Sequence, residues 1–192
     1  MHDSRNRKLL RSVANTVVII TGGFDPLHSG HLDYIRAARE LGDILIVGVN
    51  SDEWLVRKKA RSFMPASERR QIIAAIEEVD QVVEFNDNDG TGKAVINWAR
   101  LKYPKSKIIF ANGGDRTAEN IPEMDTGVTN IEFVFGVGGT DKANSSSWIL
   151  QEWKAPKTMR DWGYYRVLHE IGNHVKVKEL TVDPKQSLSM QI

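Results

Sequence analysis

Residues 16–31 read TVVIITGGFDPLHSGH, and their pattern indicates the fold class. Its first part is a short run of β-branched residues, which is typical of a strand buried on both faces of a sheet. Gly22 and Gly23 follow that run, and a helical pattern begins at Ser29. A strand that passes into a helix through a glycine-containing loop is typical of an α/β protein.

The alternation of strands and helices continues to about residue 150. We predict buried strands at 16–21, 44–49, 81–85, 107–111 and 131–135, and helices at 29–41, from Ser67 to about Val79, and at 91–102. The second helix would present Ile72, Ile73, Ile76 and Val79 on its inner face. Short, nearly all-apolar strands joined by helices favour a doubly wound parallel sheet, which binds ligands at the carboxyl ends of its strands.

The pattern changes towards the end of the chain. We predict one domain over residues 1–153, a linker over 154–163 and a β-rich tail over 164–192, in which apolar and polar residues alternate as in antiparallel strands. Three short strands bury little core by themselves. We therefore expect the tail to dock on the main domain or on a partner chain, or to be the start of a second domain.

The composition excludes several classes of protein. The 192 residues include 26 Lys and Arg against 25 Asp and Glu, a formal charge of +1, so neither nucleic acid nor a membrane surface is an expected partner. Cysteine is absent, which rules out disulfides, thiolate nucleophiles and cysteine-ligated metals. With no long apolar stretch and a polar beginning, we expect a cytoplasmic location.

The loop after the first strand is the candidate site. Backbone N–H groups and the positive end of the helix dipole meet there, an arrangement that suits phosphate, and Gly22, Gly23 and Gly30 permit a close approach. His28 and His31 lie three residues apart and can donate hydrogen bonds to phosphate oxygens as charge develops. A metal-binding pair or two solvated loop histidines are the alternatives.

GGFDPLHSGH at residues 22–31 resembles the G-x-F-D-x-x-H-x-G-H signature of the cytidylyltransferase-like nucleotidylyltransferases. The resemblance covers roughly residues 16–150, and within the family it points to the glycerol-3-phosphate cytidylyltransferase and ADP-heptose synthase types. It implies a Rossmann-like sheet and catalysis by His28 and His31. It also implies that Gly22, Gly23, Phe24, Asp25 and Gly30 bind the nucleotide.

Basic residues of a second region match the same family. Leu41-Gly42-Asp43 and Val49-Asn50-Ser51-Asp52 resemble its L-G-D and V-N-S-D segments, and Arg57-Lys58-Lys59 falls where it carries a triphosphate-binding lysine. Lys58 and Lys59 are both candidates. RSFMPASERR at 61–70 resembles the R-P-x-x-x-x-E-R segment, with its proline displaced, and favours Arg69 over Arg70 as the functional arginine. The resemblance implies that Arg69 is a catalytic residue that neutralises phosphate charge.

Two later motifs complete the resemblance. Asn112-Gly113-Gly114-Asp115 matches the family's G-G-D, in which Asp115 would hold Mg²⁺ or a ribose hydroxyl, and a plain turn is the alternative. Ser145, Ser146 and Ser147 resemble its S-T-T run, in which hydroxyls and helix N–H groups take phosphates; simple helix capping is compatible with that role. Where the family usually has an arginine before these serines, Lys142 is the available cation. Thr21-Gly22-Gly23 also replaces the usual single-glycine start.

The resemblance implies transfer of NMP from an NTP, CTP or ATP, to a phosphorylated small molecule, with release of pyrophosphate and with Mg²⁺ as cofactor. A sugar phosphate or glycerol 3-phosphate is the expected acceptor, and a homodimer is the expected assembly. An NMN or pantetheine-phosphate adenylyltransferase is the nearest alternative. A nucleotide-binding module without turnover is an alternative of another class.

Residues 160–190 resemble the opening of the cupin domain of type II mannose-6-phosphate isomerases, in their R-x-W-G-x-Y and K-x-L-x-V-x-P segments. The metal-binding histidines of that family follow this stretch, so we do not expect His169 and His174 to be ligands. The resemblance favours a sugar 1-phosphate as the acceptor.

Overall fold

The computed structural model describes residues 14–114, 116–139, 145–172 and 174–188. These residues divide into two compact units, one before residue 145 and one from Ser145 onward. The predicted boundary at residue 153 lies inside the second unit, because the last helix groups with the C-terminal strands.

The first unit is built on a five-stranded parallel sheet in the order β3-β2-β1-β4-β5. The strands are β1 (Thr16–Gly22), β2 (Ile44–Val49), β3 (Gln81–Glu84), β4 (Lys107–Ala111) and β5 (Ile131–Val134). The predicted α/β class, with a Rossmann-like doubly wound sheet, is confirmed. Each predicted strand agrees with the observed one to within one residue, because apolar runs of this length are buried on both sides of the sheet.

Four α-helices connect these strands: α1 (Ser29–Arg39), α2 (Asp52–Lys59), α3 (Ala66–Ala74) and α4 (Lys93–Lys102). A short 3₁₀ helix, Pro122–Met124, lies between β4 and β5. Side chains from opposite faces of β1 enter two separate apolar clusters, so helices cover both faces of the sheet. Val17, Val18, Ile19 and Ile20 are 0% exposed.

Two helices differ from the prediction. The sequence analysis missed α2, which has a single buried residue, Leu55, and therefore little apolar periodicity. Helix α3 ends at Ala74, so Ile76 and Val79 follow it in turns although they pack against the core. Ile72 was predicted to face inward and is 39% exposed, whereas Ile73 is buried. The buried residues of α3 are Arg69 and Ile73, so an arginine rather than Ile72 lies with Ile73 on its inner face.

The second unit consists of α5 (Ser146–Lys154) and a three-stranded antiparallel sheet in the order β6-β7-β8. The strands are β6 (Thr158–Arg160), β7 (Gly163–Ile171) and β8 (Val175–Val182). The predicted β-rich character of the tail is confirmed, but β6 lies within the stretch predicted as a linker, since three residues are too few to show a period. Residues 189–192, the end of the predicted β-rich tail, lie outside the described residues.

This second sheet leaves many large apolar side chains exposed, among them Leu168, Ile171, Val177 and Leu180, at 47% or more. The predicted cupin-like character of the tail is untested and stays a prediction. Across the described ranges, none of the helices combines the length and the apolarity that crossing a membrane requires.

Candidate active site

The candidate site lies at the carboxyl ends of β1 and β4, where the order of the strands reverses and a doubly wound sheet opens a crevice. The loop after β1 runs from Gly23 to His28 and leads into α1. Phe24 is buried in this loop with a positive φ of 50°. Gly22 packs against the ring of Phe24, and Gly23 packs against Leu55 of α2.

His28 and His31 stack on each other at the beginning of α1. Their ring centroids are 3.8 Å apart with an interplanar angle of 26°. His28 is the N-cap residue but makes no side-chain cap hydrogen bond, so its imidazole is not used to stabilise the helix. A Cβ added at Gly30 would lie 3.2 Å from Cε1 of His28, so a larger residue at this position would press on the ring. The edge of Phe24 supports His31 at 5.1 Å between ring centroids.

Both imidazoles are neutral at pH 7. Burial, and then the charge of Lys59, lowers the pKa of His28 below its ordinary value. Burial, followed by His28 and Lys59, lowers the pKa of His31 to about 3. The Nδ1 atoms of both rings are buried and have no hydrogen-bond partner among the described residues. Buried polar atoms normally have partners, so this pair has the character of a binding site rather than of a structural contact.

The two candidate lysines at the end of α2 differ in their surroundings. The charge of Lys59 acts on both histidines, whereas Nζ of Lys58 lies 4.5 Å from the ring centroid of Trp54. Ala60, in the left-handed conformation with a φ of 65°, ends the helix directly after Lys59. Lys59 is therefore the cation that the structure associates with the histidine pair.

The side chains of Asp25, Asp52 and Arg69, here called the clasp, fix the loop after β1 by hydrogen bonds on the side that faces α3, which is called its underside. Both carboxylate oxygens of Asp25 accept backbone hydrogen bonds, from Phe63 at 2.6 Å and Met64 at 2.8 Å. This contact ties the loop after β1 to the segment between α2 and α3. Asp25 was predicted to bind the nucleotide, and its oxygens are occupied by the protein itself.

Arg69 is the centre of the clasp. Its guanidinium donates to Gly23 O at 2.7 Å, Asn50 O at 2.9 Å and Met64 O at 3.0 Å, and it pairs with Asp52 Oδ1 at 2.6 Å. The side chain of Arg69 is 0% exposed. The sequence analysis expected a phosphate contact, but this geometry makes Arg69 a residue that positions the loop, because its donors face acceptors of the protein. Sequence reasoning missed Asp52.

A second carboxylate, which is buried, anchors the beginning of α2. Asp87, which follows β3, accepts hydrogen bonds from Asn50 Nδ2 at 3.0 Å, Ser51 N at 2.8 Å and Ser51 Oγ at 2.7 Å. Arg57 donates to the carbonyl oxygen of Asp87 at 2.8 Å. The helix that carries Lys59 is thus fixed at its beginning to the carboxyl end of β3.

The turn at Gly113 and Gly114 follows β4 across the crevice, and Gly114 has a φ of 66°. Tyr34 of α1 reaches this side, where its hydroxyl donates to Ala111 O at 2.6 Å. Sequence reasoning missed Tyr34, although its position one turn after His31 was the available signal. Asp115, the predicted metal or ribose ligand, and Lys142 lie outside the described residues.

The predicted serine run opens α5 in the second unit. Ser145 is the N-cap residue, and its Oγ accepts a hydrogen bond from Trp148 N at 3.1 Å, so the predicted capping is confirmed. Ser146 is buried and Ser147 is exposed. Binding of phosphates by Ser145, Ser146 and Ser147 stays a prediction.

Comparison with known proteins identifies the family to which these features belong. The family model described as cytidylyltransferase-like matches residues 19–156. The bifunctional protein HldE of a Nitratiruptor species is 36% identical over 69% of this chain and 28% of its own length. HldE of Sodalis glossinidius is 45% identical over 63% of this chain and 27% of its own length. The chain thus spans less than a third of these relatives.

A solved structure of the lipopolysaccharide core biosynthesis protein from Thermoplasma volcanium is also similar. It has a TM-score of 0.52 and 25% sequence identity, and the match covers 66% of this chain and 98% of that one. The family match extends from β1 to just after α5 and includes the histidine pair, Lys59 and the Gly113–Gly114 turn. This chain belongs to the cytidylyltransferase-like family of nucleotidyltransferases.

Proposed function

We propose that this chain transfers NMP from an NTP, CTP or ATP, to a phosphorylated small molecule and releases pyrophosphate. The observation that carries the proposal is the pair of neutral, stacked histidines with unpartnered Nδ1 atoms, under the influence of Lys59, at the carboxyl end of the central strand. Two imidazoles with free hydrogen-bonding capacity beside a cation are the arrangement expected of a site that donates to phosphate oxygens.

In the proposed reaction, a phosphate oxygen of the acceptor attacks the α-phosphorus of the NTP. A new bond forms between that oxygen and the α-phosphorus, and the bond from the α-phosphorus to the bridging oxygen of the β-phosphate breaks. Pyrophosphate leaves with the electron pair. The acceptor phosphate is already ionised at neutral pH, so the protein has to supply position and charge stabilisation rather than a strong base.

His28 and His31 act in this scheme as hydrogen-bond donors to the α- and β-phosphate oxygens. A neutral imidazole has one N–H, and a ring that becomes protonated has two. As negative charge moves to the leaving pyrophosphate, the pKa of a nearby imidazole rises and donation becomes stronger. Lys59 neutralises phosphate charge from the end of α2, and Lys58 is the alternative cation.

The Gly113–Gly114 turn and the serine run are the further proposed nucleotide contacts. Backbone N–H groups at the turn would face the nucleotide, and Ser145, Ser146 and Ser147 would take the terminal phosphates through hydroxyls and helix N–H groups. Ser145 caps its helix in the structure, which leaves the N–H groups of the first turn of α5 as the better donors.

Magnesium is part of the proposal, but the described residues do not form a ready protein cage for it. They contain no group of three or more His, Asp or Glu side chains arranged to hold a metal, and both oxygens of Asp25 accept backbone hydrogen bonds. Magnesium commonly binds through one or two carboxylates and substrate phosphates. Asp115 remains the proposed protein ligand, and no step above depends on it.

A sugar phosphate is the proposed acceptor, ahead of glycerol 3-phosphate. One similar structure is a lipopolysaccharide core biosynthesis protein by name, and that name favours sugar chemistry. The resemblance of residues 160–190 to a mannose-phosphate isomerase domain points in the same direction. Assembly as a homodimer is a further part of the proposal and is measured by analytical ultracentrifugation.

The test is pyrophosphate release with Mg²⁺, crossing CTP, ATP, UTP and GTP with hexose 1-phosphates, heptose 1-phosphates, glycerol 3-phosphate, NMN and phosphopantetheine. His28→Ala is the active-site control, and His169→Ala, at an exposed histidine of β7, is the matched control. We expect one productive pair that only His28→Ala abolishes. Turnover with NMN or phosphopantetheine alone would select the alternative enzyme class, and tight NTP binding without turnover would select a binding module.

A further inference from the structure

Tyr34 connects the two sides of the crevice. It lies one helical turn after His31, so the first two turns of α1 carry both residues. The phenol oxygen donates to Ala111 O, the carbonyl of the last residue of β4, at 2.6 Å.

The ring of Tyr34 fits tightly against the turn. A Cβ added at Gly113 would lie 3.0 Å from Cδ2 of Tyr34 and 3.0 Å from Val137 O, so a side chain at this position would push the turn away from the ring. Gly113, in the loop after β4, thus contacts both the ring of Tyr34 and Val137 in the loop after β5.

The loop after β5 packs on the same residue. A Cβ at Gly138, where φ is +81°, would approach Cα of Tyr34 to 2.7 Å. Val137 N donates to Asn112 O at 3.0 Å, which joins the two loops directly. The loops that follow β4 and β5 therefore both take their positions from one residue of α1.

We propose that Tyr34 is a positioning residue that fixes the Gly113–Gly114 turn at a set distance from the histidine pair. The inference rests on the proposed function, since it assigns the turn to the nucleotide. Its chemistry is local: the ring packs against the turn, and the hydroxyl donates to the carbonyl at the end of β4. Burial raises the pKa of the phenol above its ordinary value, so the hydroxyl keeps its proton and remains a donor.

The test compares Tyr34→Phe with Tyr103→Phe. Tyr103→Phe also removes a phenol hydrogen bond, which the Tyr103 oxygen accepts from Gln81 Nε2, but that bond lies at the beginning of β3, an edge strand on the other side of β1 from β4. The readouts are the Kd values for MgATP and MgCTP, kcat, thermal unfolding, and amide hydrogen exchange at Gly113 and Gly114.

For Tyr34→Phe we expect a rise of about fivefold to tenfold in the Kd of the preferred nucleotide, which is the size of one lost hydrogen bond. The value of kcat at saturation should stay within about twofold, because the histidines remain in place. Exchange at Gly113 should become faster. Tyr103→Phe should lower the unfolding temperature without changing either nucleotide Kd or the exchange at Gly113.

Equal nucleotide Kd values for Tyr34→Phe and the wild type would overturn the proposal, as would a fall in kcat with an unchanged Kd. If both tyrosine variants raise Kd in proportion to their loss of stability, the effect is structural only and the proposal is again overturned. If the wild type binds neither nucleotide, the proposed function fails. The exchange at Gly113 then still decides whether Tyr34 positions the turn.

Discussion

Buried polar atoms on the two sides of the loop after β1 differ in whether they have hydrogen-bond partners in the protein. Below the loop, Arg69 and Asp25 are buried and their donors and acceptors are paired with the protein. Above it, His28 and His31 have buried Nδ1 atoms that find no partner within the described part of the chain. Paired buried groups stabilise a shape, whereas unpaired ones keep their hydrogen-bonding capacity for a ligand. The contrast separates residues that build the site from residues that use it.

The largest effect should come from the underside. We expect Arg69→Met to lower the free energy of unfolding by about 3–5 kcal/mol, because it leaves buried acceptors and one carboxylate oxygen without their donor. Arg70 is the matched control, since it pairs at the surface with Glu84, whose side chain is 70% exposed. Arg70→Met should cost less than about 1 kcal/mol. Urea unfolding followed by circular dichroism measures both, and similar losses for the two arginines would remove the distinction.

On the open side, the effect should appear in the rate. His28→Ala and His31→Ala should each lower kcat by about 10²–10³, the usual result of removing a donor to the transition state. Nucleotide affinity should change far less, because donation to the phosphate oxygens becomes strong only as charge moves to the leaving pyrophosphate. Steady-state kinetics and equilibrium binding together test this. A loss of affinity as large as the loss of rate would show that the histidines serve only to bind.

Lowering the pH should lower the free energy of unfolding, because the folded protein keeps His31 neutral. The pKa of His31 is lowered from 6.5 to about 3, so the unfolded chain binds a proton more readily than the folded one between these values. The contribution of His31 to the free energy of unfolding is therefore fully present above pH 6.5. It falls as the pH drops towards 3, by at most about 1.4 kcal/mol per pH unit for one proton. Urea titrations at several pH values should show a shallower dependence for His31→Asn. An identical dependence in the wild type and the variant would contradict the assignment.

The smallest expected effect is a difference between the two lysines in how they change the pKa of His28. Lys59→Ala should raise the pKa of His28, because the nearby positive charge that opposes protonation is gone. Lys58→Ala should leave that pKa unchanged, since Lys58 lies over Trp54. NMR titration of the imidazole protons measures the difference. Equal shifts in both variants would mean that the two cations act on the histidines alike.

The difference between sides also shows what the sequence could reveal. The strands were predictable because runs such as Val17 to Ile20 are buried on both faces, and the histidine pair was predictable because its spacing and its glycines are local. The clasp was not, since Arg69 meets Gly23, Asn50 and Asp52 only after α3 packs beneath the loop. The resemblance favoured Arg69 over Arg70, but as a phosphate contact, because two adjacent arginines give no sign of which one is buried against acceptors of the protein.

The lysines and the tail illustrate two further limits. Choosing between Lys58 and Lys59 requires the phase of α2, and successive residues of a helix point about 100° apart. That helix has one buried residue and no readable stripe. In the tail, the pairing of β6 with β7 determines that Thr158–Arg160 is a strand, and pairing partners are not visible in three residues.

The short span between His31 and Tyr34 has an evolutionary consequence. An insertion of one residue between them would turn the helix by about 100° and advance it by about 1.5 Å, so one of the two residues would lose its place. The exposed stretch 116–120 of the loop between β4 and β5 is less restricted, because doubling the length of a flexible segment costs only about 0.6 kcal/mol in closure entropy. A change of length is therefore compatible with the fold in that exposed stretch, whereas the spacing of His31 and Tyr34 along α1 has to stay constant.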